Sequence, residues 1–116
     1  MKGAMSKISD IIAQGESETL EFKERFNAEI IETAVAFANT RGGRILIGIT
    51  DDGKFSKQSF GKEALRDYVN RIATATEPSI IPSAEKLTTR EGEVIVLSVA
   101  EFPLKPVATR GRCYRR

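Results

Sequence analysis

Residues Gly48 to Lys54 carry the spacing Gly-x-x-x-x-Gly-Lys, the outline of a phosphate-cradling loop. A working loop of that kind leaves a buried strand and wraps phosphate with backbone N–H groups. It then enters a helix that opens on Lys and Ser or Thr, the hydroxyl going to magnesium. Here Phe55 stands at the hydroxyl position, Asp51 and Asp52 would put two negative charges inside the cradle, and no helical pattern starts at Lys54. A hairpin turn in which Gly53 takes positive φ accounts for the stretch better. ATP hydrolysis is therefore not expected of this segment.

Carboxylates offer a second chemistry. Histidine is absent and Cys113 is the single cysteine, so an internal disulfide and a multi-cysteine zinc site are excluded. Catalysis would have to run on carboxylates, lysines or a hydroxyl. In "TLEFKE" the alternation sends Leu20 and Phe22 one way and Glu21 and Lys23 the other, onto an exposed face. Glu16 lies just upstream. If this strand neighbours the one ending before Asp52, Glu16, Glu21 and Asp52 could converge on Mg²⁺ or Mn²⁺, with Lys23 stabilising developing charge. Glu18 is a competing acid, and Asp52 serves equally well as a turn former.

The cations suggest a polyanion. The formal charge of +2 is unremarkable, with 18 Lys and Arg against 16 Asp and Glu, but its distribution is uneven. Glu16, Glu18, Glu21, Glu24 and Glu29 crowd the early chain. After Glu101 there is no acid, and Lys105, Arg110, Arg112, Arg115 and Arg116 follow. With Lys23, Arg41 and Arg44 they form a candidate set for phosphate contacts. The alternative for the tail is a solvated basic end.

The elements that must position these residues can be read from periodicity. "SKISDIIAQG" predicts a short docking helix within residues 1–15, capped at Ser6 and stopped at Gly15, with Ile8, Ile11 and Ile12 on one face. "NAEIIETAVAFANT" predicts a helix with Asn27 as cap and a broad apolar face. Gly42 and Gly43 end it, and "RILIGIT" is apolar on both alternating faces, as an interior strand covered on both sides would be. A helix is expected from Lys62 to about Ala75, stopped by Pro78 and Pro82. The "EVIVLSV" strand should pair with "KLTTR" across a turn at Glu91 and Gly92, and "GRCYRR" suggests one more short strand. With 41% hydrophobic residues in 116, the chain suits a single domain of α/β (α+β) class, a mixed β-sheet with helices packed on it. No apolar run reaches the ~20 residues that span a bilayer. A cytoplasmic protein with no membrane partner is expected.

The segments "ESETLEFKE", "AFANTRGGRILIGITDDG" and the late "GRCYRR" occur together in an order that resembles the Schlafen AlbA-type domain. Such domains are found in bacterial and archaeal proteins described as transcriptional regulators or divergent AAA ATPases, and in animal Schlafens. The resemblance covers residues 16–116 and implies the N-terminal module of a longer protein that binds DNA or RNA. In RNA-cleaving animal Schlafens the matching acids fall on Glu16, Glu21 and Asp52, which implies a metal-dependent ribonuclease as the alternative. A third reading is an interaction module that forms a homodimer through exposed strand edges.

Overall fold

The structure is a computed structural model that describes residues 2–116, with side chains from Ile8 onward. In chain order it contains α1 (Lys2–Gln14), β1 (Leu20–Lys23), α2 (Ala28–Ala38), β2 (Gly43–Ile47) and α3 (Ala64–Ala75). These are followed by β3 (Ser83–Thr89), β4 (Gly92–Val99), β5 (Ala108–Thr109) and β6 (Arg112–Cys113). Among the described residues, one sheet has the order β1-β2-β4-β3, and β5 and β6 form a separate hairpin. β1 and β2 run parallel, with Glu21 opposite Ile45 and Lys23 opposite Ile47. β4 is antiparallel to both β2 and β3. The α+β sandwich with a mixed sheet is as the sequence predicts.

Both faces of the sheet are covered, because β2 and β4 are apolar at successive positions. On one face Leu46, Val94 and Val96 pack with Leu20, Phe22, Ile49 and the helix residue Ile8, while Ile11 and Ile12 lie at the margin. On the other face Ile45, Ile47, Ile95, Leu97 and Val99 meet Ile30, Ala34, Val35, Phe37 and Ala38 of α2 and Ile72 of α3. Small alanines let α2 lie close to the strands. The passage from α2 into β2 is tighter still: Gly42 has φ +75°, and a Cβ there would stand 2.7 Å from the Val99 carbonyl. A Cβ on Gly43 would stand 2.6 Å from the Phe37 ring, so the Gly-Gly pair is a packing requirement as well as a helix stop.

Several boundaries differ from expectation. α1 is helical from Lys2, which places Ser6 inside it instead of at its cap. Gly15, at φ +76°, does end it, with its N–H bonded to the Ile12 carbonyl. Asn27 occupies the N-cap position of α2 but makes no side-chain capping bond; its carbonyl accepts from Ile30 N–H. α3 begins at Ala64, later than Lys62. β3 starts three positions before "KLTTR", and Gly92 already pairs with Thr89, so the turn is Arg90–Glu91. Gly53 has φ +83° and donates to the Thr50 carbonyl, while Ile49 bridges Phe55. The Gly48–Lys54 stretch is thus a hairpin turn.

Candidate nucleic-acid interface

β1 is an edge strand, and the Ser17 backbone and the Glu16 carboxylate close its free side. The Leu20 N–H and C=O are bonded by the Ser17 carbonyl and N–H, and the Phe22 N–H donates to Glu16 Oε2 at 2.9 Å. The Glu16 carboxylate therefore does the work of a missing neighbouring strand, and this edge is poorly suited to pairing with a second copy. At the opposite edge, β3 exposes Glu85 and Lys86, charges that likewise discourage strand addition.

Glu21 and Lys23 do share the face opposite Leu20 and Phe22. That face is not open, however: their side chains are 18% and 19% exposed. Glu21 Oε1 accepts from the Arg116 guanidinium at 2.8 Å, and Lys23 Nζ donates to Glu29 Oε1 at 2.6 Å, with Glu21 3.9 Å away. Burial disfavours the Lys23 ammonium, but the hydrogen bond and charge of Glu29, joined by Glu21 and Glu16, outweigh it and hold its pKa above the ordinary value. The same hydrogen bond and charge hold the Glu29 carboxyl below the usual range. The result is a chain of alternating charges, Arg116–Glu21–Lys23–Glu29, that runs from the C-terminal segment to the first turn of α2.

Asp52 is elsewhere. Its carboxylate accepts a short hydrogen bond from the Thr50 hydroxyl, which lowers its pKa. The turn leans toward α1, since a Cβ on neighbouring Gly53 would meet Ile12 and the Phe22 ring. Glu21 points to the other face of the sheet. Although β1 and β2 are neighbours, as a shared ion would require, their acids diverge. Among the described residues no group of three His, Cys, Asp or Glu side chains is placed to hold a metal ion. As placed, Glu16, Glu21 and Asp52 do not come together around a site for Mg²⁺ or Mn²⁺.

The C-terminal cations have a different fate. Thr109 and Arg112 pair across a two-residue loop, Arg110–Gly111, with φ +51° and +72°. Two positive φ values are what a type I′ hairpin turn needs. Thr109 is buried, its hydroxyl donating to the Ala75 carbonyl at 2.6 Å, and Ala108 exchanges both backbone bonds with Glu77. This seats the hairpin at the end of α3 beside α2. Between the hairpin and α2 lies a cleft of about 410 Å³ lined by Ala28, Ile31, Glu32, Arg110, Arg112 and Tyr114. A second, of about 440 Å³, continues past Glu32 and Tyr114 to Thr33, Ala36, Arg115 and Arg116. The two share Glu32 and Tyr114 and form one groove along α2.

Of the residues expected to contact phosphate, four already have acids. Lys23 holds Glu29, Arg41 holds Glu18 at 2.8 Å, Lys105 holds Glu101 at 2.8 Å and Arg116 holds Glu21. Arg44 sits on β2 opposite Leu20, on the α1 face and away from the groove. Arg110, Arg112 and Arg115 are exposed and make no ion pair among the described residues. They are the cations that the groove brings together.

One organising residue escaped the sequence reading. Asn39 is buried at the C-cap of α2. Its Nδ2 donates to the carbonyls of Val107 and Tyr114 at 2.9 and 2.8 Å, and its Oδ1 accepts from Val107 N–H at 2.6 Å. It pins the tail that forms one wall of the groove. The signal was available: Asn39 follows Val35 by four positions on an apolar helix face, where an amide must have buried partners.

Comparison with known proteins agrees with this architecture. The family model for Schlafen, AlbA_2, matches residues 16–116. The chain belongs to the Schlafen AlbA_2 family. Among solved structures, this Schlafen AlbA_2 domain is similar to the DIP2311 protein of Corynebacterium diphtheriae, at 18% identity and a TM-score of 0.71, over 97% of this chain and 24% of that one. It is also similar to the N-terminal domain of a RecG-related protein from Nitrosomonas europaea, at 21% identity and a TM-score of 0.69, over 100% of this chain and 89% of that one. The chain spans about a quarter of the length of the first neighbour. No curated protein matches the chain. Within the Schlafen AlbA_2 segment, "FANTRGG" supplies the tail-pinning amide and the close turn, and "LEFK" supplies the edge strand with its ion-pair chain.

Proposed function

We propose that this domain binds nucleic acid along the groove between α2 and the β5–β6 hairpin, as the phosphate-contacting module of a cytoplasmic transcriptional regulator. The observation that carries this reading is the convergence of Arg110, Arg112 and Arg115, all exposed and free of acid partners, on one groove that also contains Tyr114. Guanidinium groups recognise phosphate oxygens through paired N–H donors, and a tyrosine ring offers a face for a base. Backbone contacts of this kind set affinity more than sequence choice. Membership of the Schlafen family supports a nucleic-acid role. A structural neighbour belonging to a protein named for a relation to the DNA helicase RecG is in keeping with it.

The backbone at Arg110 adds support. A type I′ turn favours Asn, Asp or Gly at its first central position, and a long side chain at φ +51° is strained there. Strain retained in a surface turn points to a use for the side chain.

The test is fluorescence anisotropy with labelled DNA and RNA, single- and double-stranded, across a salt series. Changing Arg110, Arg112 and Arg115 together to Ala should weaken binding and reduce the slope of log K against log salt by about 2 to 3. Lys86→Ala, at the far edge of the sheet, should leave both unchanged. A triple variant with the wild-type slope would place the interface elsewhere.

A further inference from the structure

We infer that Glu21 is a positioning residue for the groove: its ion pair with Arg116 latches the segment that carries Arg115 against β1 and α2. This rests on the nucleic-acid reading above. It gives Glu21 a task that neither metal chemistry nor direct contact with a polyanion would require.

Arg116 is held from every side. Its Nη1 donates to Glu21 Oε1 at 2.8 Å, its Nε to the Glu18 carbonyl at 3.1 Å, and its Nη2 to the Ser17 carbonyl, with the Leu20 carbonyl at 3.5 Å. The guanidinium also lies over the Phe37 ring, 4.6 Å from its centre. Its side chain is 19% exposed, in a segment whose other arginines face solvent. A planar fork with five donors suits this arrangement of one carboxylate, several carbonyls and one ring; an ammonium cannot match it. Asn39 pins the same segment at the Tyr114 carbonyl. Two fixed points therefore bracket Arg115, and the segment just before them carries Arg112 and Cys113. If the outer point is released, Arg115 loses the contact that holds its segment to β1.

The sign of the expected effect separates a latch from bulk electrostatics. Neutralising Glu21 removes a negative charge close to a polyanion site, which on charge alone would tighten binding. A latch predicts the reverse. Glu18 provides the matched control: it lines the same groove, it is 68% exposed and paired with Arg41, and Arg116 uses only its backbone carbonyl. Arg116→Lys is the second control, because it conserves charge and loses the fork.

The experiment combines two readouts on the folded chain. Cys113 is the single cysteine but is already paired with Ala108 in β6. With Cys113→Ser and Arg115→Cys, a nitroxide between the two fixed points reports mobility of the held segment, while binding is measured on chains that keep Arg115. Glu21→Gln and Arg116→Lys should each sharpen the spin-label spectrum and weaken binding to a labelled oligonucleotide by about tenfold at 0.1 M salt, the effect of losing roughly one phosphate contact. Glu18→Gln should leave the spectrum unchanged and tighten binding. An unchanged spectrum in the Glu21 and Arg116 variants overturns the latch, and so does tighter binding by Glu21→Gln. If the wild-type chain binds no nucleic acid, the proposed function fails while the spectra still decide whether the latch exists.

Discussion

Asn39→Ala tests whether the groove wall depends on one buried amide. The change removes three hydrogen bonds, of 2.6, 2.8 and 2.9 Å, and leaves the Val107 N–H and the carbonyls of Val107 and Tyr114 without that partner. Asn39 is 6% exposed and Val107 is fully buried, so water cannot simply replace the amide at Val107. Each net bond is worth about 1 kcal/mol, and a buried group left unpaired costs about 1–3 kcal/mol. Taking the two fully buried Val107 groups at about 1.5 kcal/mol each, in the lower half of that range, and the part-buried Tyr114 carbonyl at little, the loss is about 3 kcal/mol. That is a large share of the ~5–15 kcal/mol that stabilises a domain. At roughly 4 °C per kcal/mol for a chain of this size, Tm should fall by about 12 °C. A thermal melt followed by circular dichroism measures that fall, and urea denaturation measures the free-energy loss as a lower midpoint at unchanged m. Binding should weaken in parallel even at temperatures where the variant is fully folded, because the tail loses its inner anchor. A stability loss under about 1 kcal/mol would refute the reasoning, since it would mean that the amide's partners are satisfied without it.

Two further outcomes follow from local geometry. Arg110→Asn should stabilise the domain by about 0.5–1 kcal/mol, because Asn tolerates the left-handed turn position better, while nucleic-acid affinity falls; thermal melts and anisotropy on the same variant check both signs. The Lys23–Glu29 pair should make stability fall on the acid side: with the Glu29 carboxyl held low, its contribution is present above the unfolded value of about 4.3 and is lost as pH falls through the depressed folded value. Glu29→Gln should therefore cost a small amount of stability at pH 7, where the exposed partner adds only a surface interaction, and that difference from the wild type should vanish in acid, leaving the variant with a flatter acid limb in pH-dependent urea melts.

The layers of this fold are legible because they rest on period and sterics. "RILIGIT" has no polar face, so it had to be covered on both sides, and it lies between β1 and β4 under helices on both faces. Gly42 and Gly53 take positive φ, and Gly43 leaves room for the Phe37 ring. Caps were less legible: Ser6 and Asn27 are favoured cap types, yet α1 starts upstream of Ser6 and the Asn27 side chain is unused. The partners of the acids were illegible for a different reason. Alternation correctly put Glu21 and Lys23 on one face, but it could not show that a guanidinium 95 residues downstream would cover them. Nor could it show that Glu16 would fill a strand edge, because that depends on which side of β1 is left unpaired.

The uneven charge along the chain resolves into local pairing plus a smaller positive remainder. Five cations follow Glu101, and read from the sequence alone they suggest five phosphate contacts. Folding withdraws two of them, since Lys105 returns to Glu101 and Arg116 is held by Glu21. Three remain on the groove, facing Glu32, which lines both of its halves. The expected salt slope is therefore nearer 2.7 than 4.5, using about 0.9 per phosphate on duplex DNA. A carboxylate amid three guanidinium groups also bears on orientation, because phosphates will keep to the arginine side while Glu32 meets whatever else enters the groove. The acids crowded into the early chain thus have structural tasks: Glu16 closes an edge, Glu21 fixes the tail and Glu29 holds Lys23. What is left for a polyanion is a short basic wall whose position depends on Asn39 and Arg116.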